Sequence, residues 1–211
     1  MKTAAQRLLL LATLFGALWG AWAAAQASTG LAQLQVQVLD SAGNPVPEAV
    51  VFLESREARA LVRPMREVAI AQADKQFTPR VTVVTLGTSV EFPNRDKVRH
   101  HVYSFSPTKT FELKLYAGSP ANPVVFDRAG IALLGCNIHD NMTAWVVVVE
   151  TPHHARSGPH GRAVLDALPE GNYRLRTWHE GMPVGAPALD QPLRVGAGTQ
   201  AVTVRLAELQ R

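Results

Sequence analysis

The sequence predicts an all-β chain built as sandwiches. Beyond the N-terminus apolar residues recur with a period of two, in short runs that stop at clusters of turn residues. No stretch carries a convincing amphipathic-helix pattern, and this combination is the signature of packed antiparallel sheets.

The first element in order is a leader. Lys2 and Arg7 precede an apolar stretch from Leu8 to about Trp22, and Ala23-Ala24-Ala25 or Ala25-Gln26-Ala27 then offers small residues for cleavage. Residues 1–27 therefore read as a secretory signal peptide cut after Ala25 or Ala27. The alternative, an uncleaved anchor, suits it less, because the apolar stretch is shorter than the ~20 residues that span a bilayer. A twin-arginine signal is missing, so the chain is expected to leave unfolded and to take up any metal in the periplasm. Losing Lys2 and Arg7 takes two from the 21 basic residues and none from the 17 acidic ones, which leaves a net charge of +2. Such a balance does not predict nucleic-acid binding, and nothing after the leader predicts a membrane span.

Leu34, Val36 and Val38 open the β pattern. Val81 and Val83, then Val90 and Phe92, then Phe111, Leu113 and Leu115 repeat it. So do Trp145, Val147 and Val149, and finally Val202, Val204 and Leu206. Turn clusters bound these runs at Ser41–Pro45, Gly87-Thr88, Gly118-Ser119-Pro120 and Pro169–Asn172. Glu54 to Glu67 is charged and reads as a short helix or a loop. Three blocks result: 31–53, a strand, turn and strand; 68–151, which holds the metal-type residues; and 162–209, again strands and turns. Residues 152–161 are rich in Pro, Gly and His and read as a surface linker.

The chemistry concentrates in the middle block. Cys136 is the chain's single cysteine, and an exported protein with one cysteine forms no internal disulfide. His139 and Met142 follow it at equal steps in a C-x2-H-x2-M array. A thiolate, an imidazole and a thioether so close together suit copper. Zinc suits them less, since methionine is a poor zinc ligand and a second thiolate is missing. A single loop does not wrap an ion, so a further ligand is expected from the polar loop and strand start at Glu91–Phe105, where His100 and His101 stand. Each of the four residues taken alone reads as packing; their convergence at ligand spacing does not.

The segment from Ile70 to Phe105, with its Leu86-Gly87-Thr88 turn, Asn94-Arg95 loop and His100-His101-Val102, resembles the matching part of the cupredoxins, amicyanin and plastocyanin among them. The spacing of Cys136, His139 and Met142, the following strand Ala144–Glu150 and the preceding Phe126–Ile131 carry the resemblance over about 85 residues. It implies a Greek-key cupredoxin sandwich holding one type 1 copper ion on His100, Cys136, His139 and Met142, with methionine as the long axial ligand. His101 departs from the family, which has an asparagine there that braces the cysteine loop. A brace from the His101 N–H is the expectation, competition for the metal the alternative. Leu34–Val51 and Leu168–Leu175 resemble the opening and closing of carboxypeptidase regulatory-like sandwiches, which implies a second, smaller sandwich formed by the flanking segments. In the simpler alternative Leu34–Leu53 completes the cupredoxin sheet.

The implied function is an exported type 1 copper protein that carries single electrons, with His139 as electron port and a protein redox partner such as a cytochrome or a dehydrogenase. Arg95, Lys97 and Arg99 would form a basic rim that steers an acidic partner. No catalytic array stands out, so an enzyme is not expected. The competing readings are a copper chaperone, favoured if His153, His154 and His160 load metal, and a metal-free scaffold in which Cys136 is merely buried. His153, His154, His160 and His179 otherwise read as solvated or structural.

Overall fold

The structure is a computed structural model that describes residues 31–207 and 209–210, so the predicted signal peptide lies outside the described residues. The chain starts with β1 (Ala32–Asp40), β2 (Val50–Glu54), α1 (Arg56–Ala60), β3 (Val68–Ala69), β4 (Ala71–Ala73) and β5 (Gln76–Thr78). It continues with β6 (Val81–Thr85), β7 (Thr88–Glu91), β8 (His100–Ser106), β9 (Lys109–Tyr116), β10 (Val124–Phe126) and β11 (Gly130–Gly135). Then come β12 (Thr143–Val149), β13 (His154–Arg156), β14 (Arg162–Leu168), β15 (Gly171–Trp178), β16 (Leu189–Val195) and β17 (Thr199–Leu206). The all-β class is as the period-two pattern predicts. The charged stretch after β2 resolves into one helical turn and more, capped by Ser55, whose Oγ accepts from the Ala58 amide.

The strands form two face-to-face sandwiches. In one, the sheet β14-β1-β17 covers the sheet β13-β2-β15-β16. β1 buries Ala32, Leu34, Val36 and Val38 at every second position, and they meet Val51 and Leu53 of β2 and Leu175 of β15. The segment Leu34–Leu53 therefore pairs with strands from residue 154 onward and adds nothing to the sheet of the middle segment. In the second sandwich the five-stranded sheet β6-β12-β11-β8-β9 faces β10-β7-β3, with the β4–β5 hairpin at one end. Its core holds Ile70, Val90, Phe92, Phe126, Leu134 and Val146, together with Cys136 and Met142.

β12 is buried on both faces. Ala144, Val146 and Val148 enter the core of its own sandwich, whereas Trp145, Val147 and Val149 meet Val50, Phe52 and Trp178 on the outer face of β2 and β15. This third cluster joins the two sandwiches, and the Trp145 and Trp178 rings meet edge to face at 5.2 Å.

Two expectations fail in detail. Residues 152–161 are more than a surface link: His154–Arg156 pair with β2 as an edge strand, while Thr151 and Ser157 beside them are buried. Ser157 Oγ accepts from the Ala49 amide and donates to the Val46 carbonyl, which ties this stretch into the sandwich. Leu115 does not follow Phe111 and Leu113 inward. His100 pairs with Tyr116 and Val102 with Leu113, so β9 carries an extra residue here. The bulge turns Leu115 to solvent and sets Tyr116 opposite His100, against the core.

Candidate metal centre

His100 opens β8, Gly135 ends β11, and the loop from Cys136 to Met142 leads into β12. Because β8 and β11 pair at Tyr103 and Gly135, the histidine and the cysteine reach the same end of one sheet. Alternation places both side chains on the core face: His100 is fully buried and Cys136 is 3% exposed. Within the loop the Met142 amide donates to the His139 carbonyl at 2.9 Å, closing a tight turn that brings His139 back over the cysteine.

The donor atoms of His100, Cys136 and His139 all lie within 4.8 Å of one another. Cys136 Sγ is 3.9 Å from His100 Nδ1, and the two imidazole rings are 5.2 Å apart. Metal bonds of ~2.3 Å to sulfur and ~2.0 Å to nitrogen at trigonal angles set such atoms about 3.7 Å apart. His139 Nδ1 is buried and has no hydrogen-bond partner among the described residues. A buried ring nitrogen without a partner is costly unless something takes its lone pair. Met142, 1% exposed, sits in the same core cluster as Cys136. The donor set therefore fits a soft or borderline metal ion such as copper.

A second layer, which the sequence reading missed, orients the first. Asp96 Oδ2 lies 2.7 Å from His100 Nε2. A carboxylate there keeps the ring proton on Nε2, so Nδ1 presents its lone pair towards Cys136. Asp96 is itself gripped by backbone amides, with Asp74 N–H donating to Oδ1 at 2.8 Å and Lys75 N–H to Oδ2 at 3.0 Å. Both residues have positive φ at the tip of the β4–β5 hairpin, a conformation that aims successive amides at one anion. The Lys75 amide first, and the His100 ring after it, hold the Asp96 carboxyl below its ordinary range, while burial opposes them.

Asn94 fixes the loop. Its Nδ2 donates to the Val98 and Tyr116 carbonyls and its Oδ1 accepts from the Asp96 amide. Behind it Gln72, fully buried, donates to the Tyr116 hydroxyl, which donates on to the Phe92 carbonyl. Burial pushes the Tyr116 phenol above its usual range. The only sequence signal for this layer was the polar run Asn94-Arg95-Asp96 ahead of the histidine.

His101 neither braces the cysteine loop nor turns to the donors. It points to the opposite face of β8, lies tilted against the Tyr103 ring with centroids 5.7 Å apart, and brings Nε2 to 3.0 Å from Glu112 without hydrogen-bond alignment. His153, expected in solvent, is half-buried, and its Nε2 is buried and unpartnered among the described residues. Burial lowers the pKa of His153, His154 and His179.

No family model matches the chain, and a search of curated proteins by sequence finds no match. Solved structures are similar to part of it. A Cu-containing nitrite reductase from Thermus scotoductus SA-01 is 22% identical with a TM-score of 0.37, covering 42% of this chain; the chain spans only 23% of that enzyme. A mutant of amicyanin in its reduced Cu(I) form is 21% identical with a TM-score of 0.37, over 47% of this chain and 98% of its own. A purple cupredoxin from Nitrosopumilus maritimus is 20% identical with a TM-score of 0.35, over 39% and 100%. Among the described residues no helix is long and apolar enough to cross a membrane.

Proposed function

We propose that this protein is an exported carrier of single electrons that holds one type 1 copper ion. His100 Nδ1, His139 Nδ1 and Cys136 Sγ would be its short ligands and Met142 Sδ its axial one. The observation that carries this reading is the mutual approach of three soft or borderline donors within 4.8 Å, one of them a buried nitrogen with no other partner. When bound, copper supplies one-electron redox chemistry at a fixed coordination shape. The chain's own part is to hold that shape. Asp96 fixes the His100 tautomer, and the Met142 amide pins the His139 carbonyl.

The cysteine end of the sheet is also where contact with a partner is easiest. Half-buried His139 stands beside Ile138, which is 47% exposed, while Arg95, Lys97 and Arg99 ring the His100 loop in solvent. This rim suits an acidic redox protein, a cytochrome or a dehydrogenase. The reading includes export through the leader at 1–27, a copper unit at 68–151, a carboxypeptidase regulatory-like sandwich from 31–53 and 162–209, and no catalysis.

The test is addition of cupric ion to the purified protein. An intense thiolate-to-copper charge-transfer band in the visible is expected, absent in Cys136→Ser, together with repeated reduction and reoxidation without metal loss. A colourless complex overturns the reading, and release of copper on reduction turns it into a delivery protein.

A further inference from the structure

The loop 179–188 leaves β15 directly after Trp178, where the two sandwiches meet, and it is folded around one histidine. His179 Nδ1 accepts from the Gly181 amide at 3.0 Å, and the His179 carbonyl accepts from the Met182 amide at 3.0 Å. The first bond makes an imidazole do what an asparagine side chain does in an Asx-turn, taking the amide two residues on. A Cβ at Gly181 would fall 3.0 Å from both His179 Nδ1 and the Gln210 carbonyl, so glycine is what lets the ring and the chain end close on one point. The Gly181 carbonyl in turn accepts from the Gln210 amide.

This loop is part of the joint between the sandwiches. Met182 packs against the core of the flanking sandwich and against the shared cluster of Val50, Phe52, Trp145 and Trp178, to which the buried Ala188 also belongs. Glu180 pairs with Arg80, which stands just ahead of β6 in the other sandwich.

A ring nitrogen that accepts a hydrogen bond carries no proton. Protonation of His179 would set an N–H against the Gly181 N–H, donor on donor, and turn the bond into a repulsive contact. Burial holds the His179 pKa below its ordinary 6.5, against Glu180, the Pro47 carbonyl and Glu48, which all favour the charged ring. Both carboxylates already have partners, Glu180 in Arg80 and Glu48 in Arg156. Because the closed turn needs the neutral ring, its stability is complete above 6.5 and declines as the pH falls below it.

We propose that His179 is a proton-operated latch: neutral, it clamps the loop 179–188 onto the seam between the two sandwiches, and protonated, it releases that loop while both cores stay folded. The latch uses none of the copper donors, so it stands or falls apart from the copper reading.

The test is amide hydrogen exchange of the copper-free full-length chain, followed by NMR from about pH 7.5 to about pH 4.5, with the His179 ring titrated in parallel. Protection of the Gly181 amide, corrected for the intrinsic dependence of exchange on pH, is expected to fall roughly tenfold as the ring takes up its proton. The Leu175 amide, in the middle of β15, should exchange more slowly than Gly181 throughout. His179→Asn offers the same amide an acceptor that does not titrate, and should keep Gly181 protected across the whole range. His179→Phe offers none, and should leave Gly181 poorly protected at every pH. Constant protection while the ring titrates, a ring that stays neutral until the chain unfolds, exchange of Gly181 no faster than that of Leu175, or the same loss in His179→Asn as in the parent would each overturn the proposal. If His179→Phe fails to fold, the parent and His179→Asn decide it.

Discussion

At the scale of single residues the candidate metal centre is oriented by a carboxylate outside the donor set. Asp96 places a negative charge 2.7 Å from His100 Nε2, and two backbone amides keep it ionised there. A charge in that position favours the more positive, oxidised state of any ion held by the ring. Asp96→Asn should therefore raise the reduction potential of the copper form, on the order of 60 mV, a tenfold shift for a one-electron couple. Spectroelectrochemistry would read it, and an unchanged potential would deny Asp96 that role. His101→Asn is the converse case. Because the His101 ring faces Tyr103 and Glu112 on the outer side of β8, the substitution should leave the visible copper band where it is; a displaced band would restore the brace. The convergence of His100, Cys136 and His139 was foreseeable because ligand types at fixed steps are a one-dimensional signal. Asp96 was not, since its importance lies in a tautomer set by a hairpin 22 residues earlier in the chain.

At the scale of elements, period-two patterning located β1, β6, β7, β9, β12 and β17 and missed strands that are short or depart from it. The β9 bulge is invisible in an alternating run such as Phe111, Leu113 and Leu115, yet it delivers Tyr116 to the core opposite His100. β13 was hidden by the breakers on either side of it, because three residues are too few to show a period of two. The histidines of this stretch give it a pH dependence. His153 and His154, and His179 after the end of β15, have folded-state pKa values lowered by burial from the usual 6.5. Above 6.5 folded and unfolded chains hold these rings equally neutral; as the pH falls below it, the unfolded chain takes up protons first and the folded state loses ground. The copper-free protein should therefore show urea midpoints that fall between pH 7 and pH 5, and His154→Gln should flatten part of that slope. A variant whose midpoint falls as steeply as the parent's would remove His154 from the account.

At the scale of the whole molecule the question is whether the sandwiches unfold together. Each has a core of its own, around Leu34, Leu53 and Leu175 in one and Phe92, Leu134 and Val146 in the other. They share the cluster of Val50, Phe52, Trp145, Val147 and Trp178. The sequence showed that Trp145 lies on a strand, but strand period tells which residues share a face and not which faces meet. The middle segment is also tethered at both ends, since β2 precedes it and β13 follows it as neighbours in one sheet. Trp178→Ala removes one partner of the edge-to-face pair and opens a cavity at the seam, a loss of about 3–5 kcal/mol. That loss falls on the coupling and leaves each separate core intact. Calorimetry of the variant should then split one heat-absorption peak into two. Copper should move only the peak of the sandwich that holds Cys136, because a ligand stabilises the unit whose folded form binds it. A single peak displaced to lower temperature, moving as a whole with copper, would mean that the double tether couples the sandwiches without the tryptophan pair.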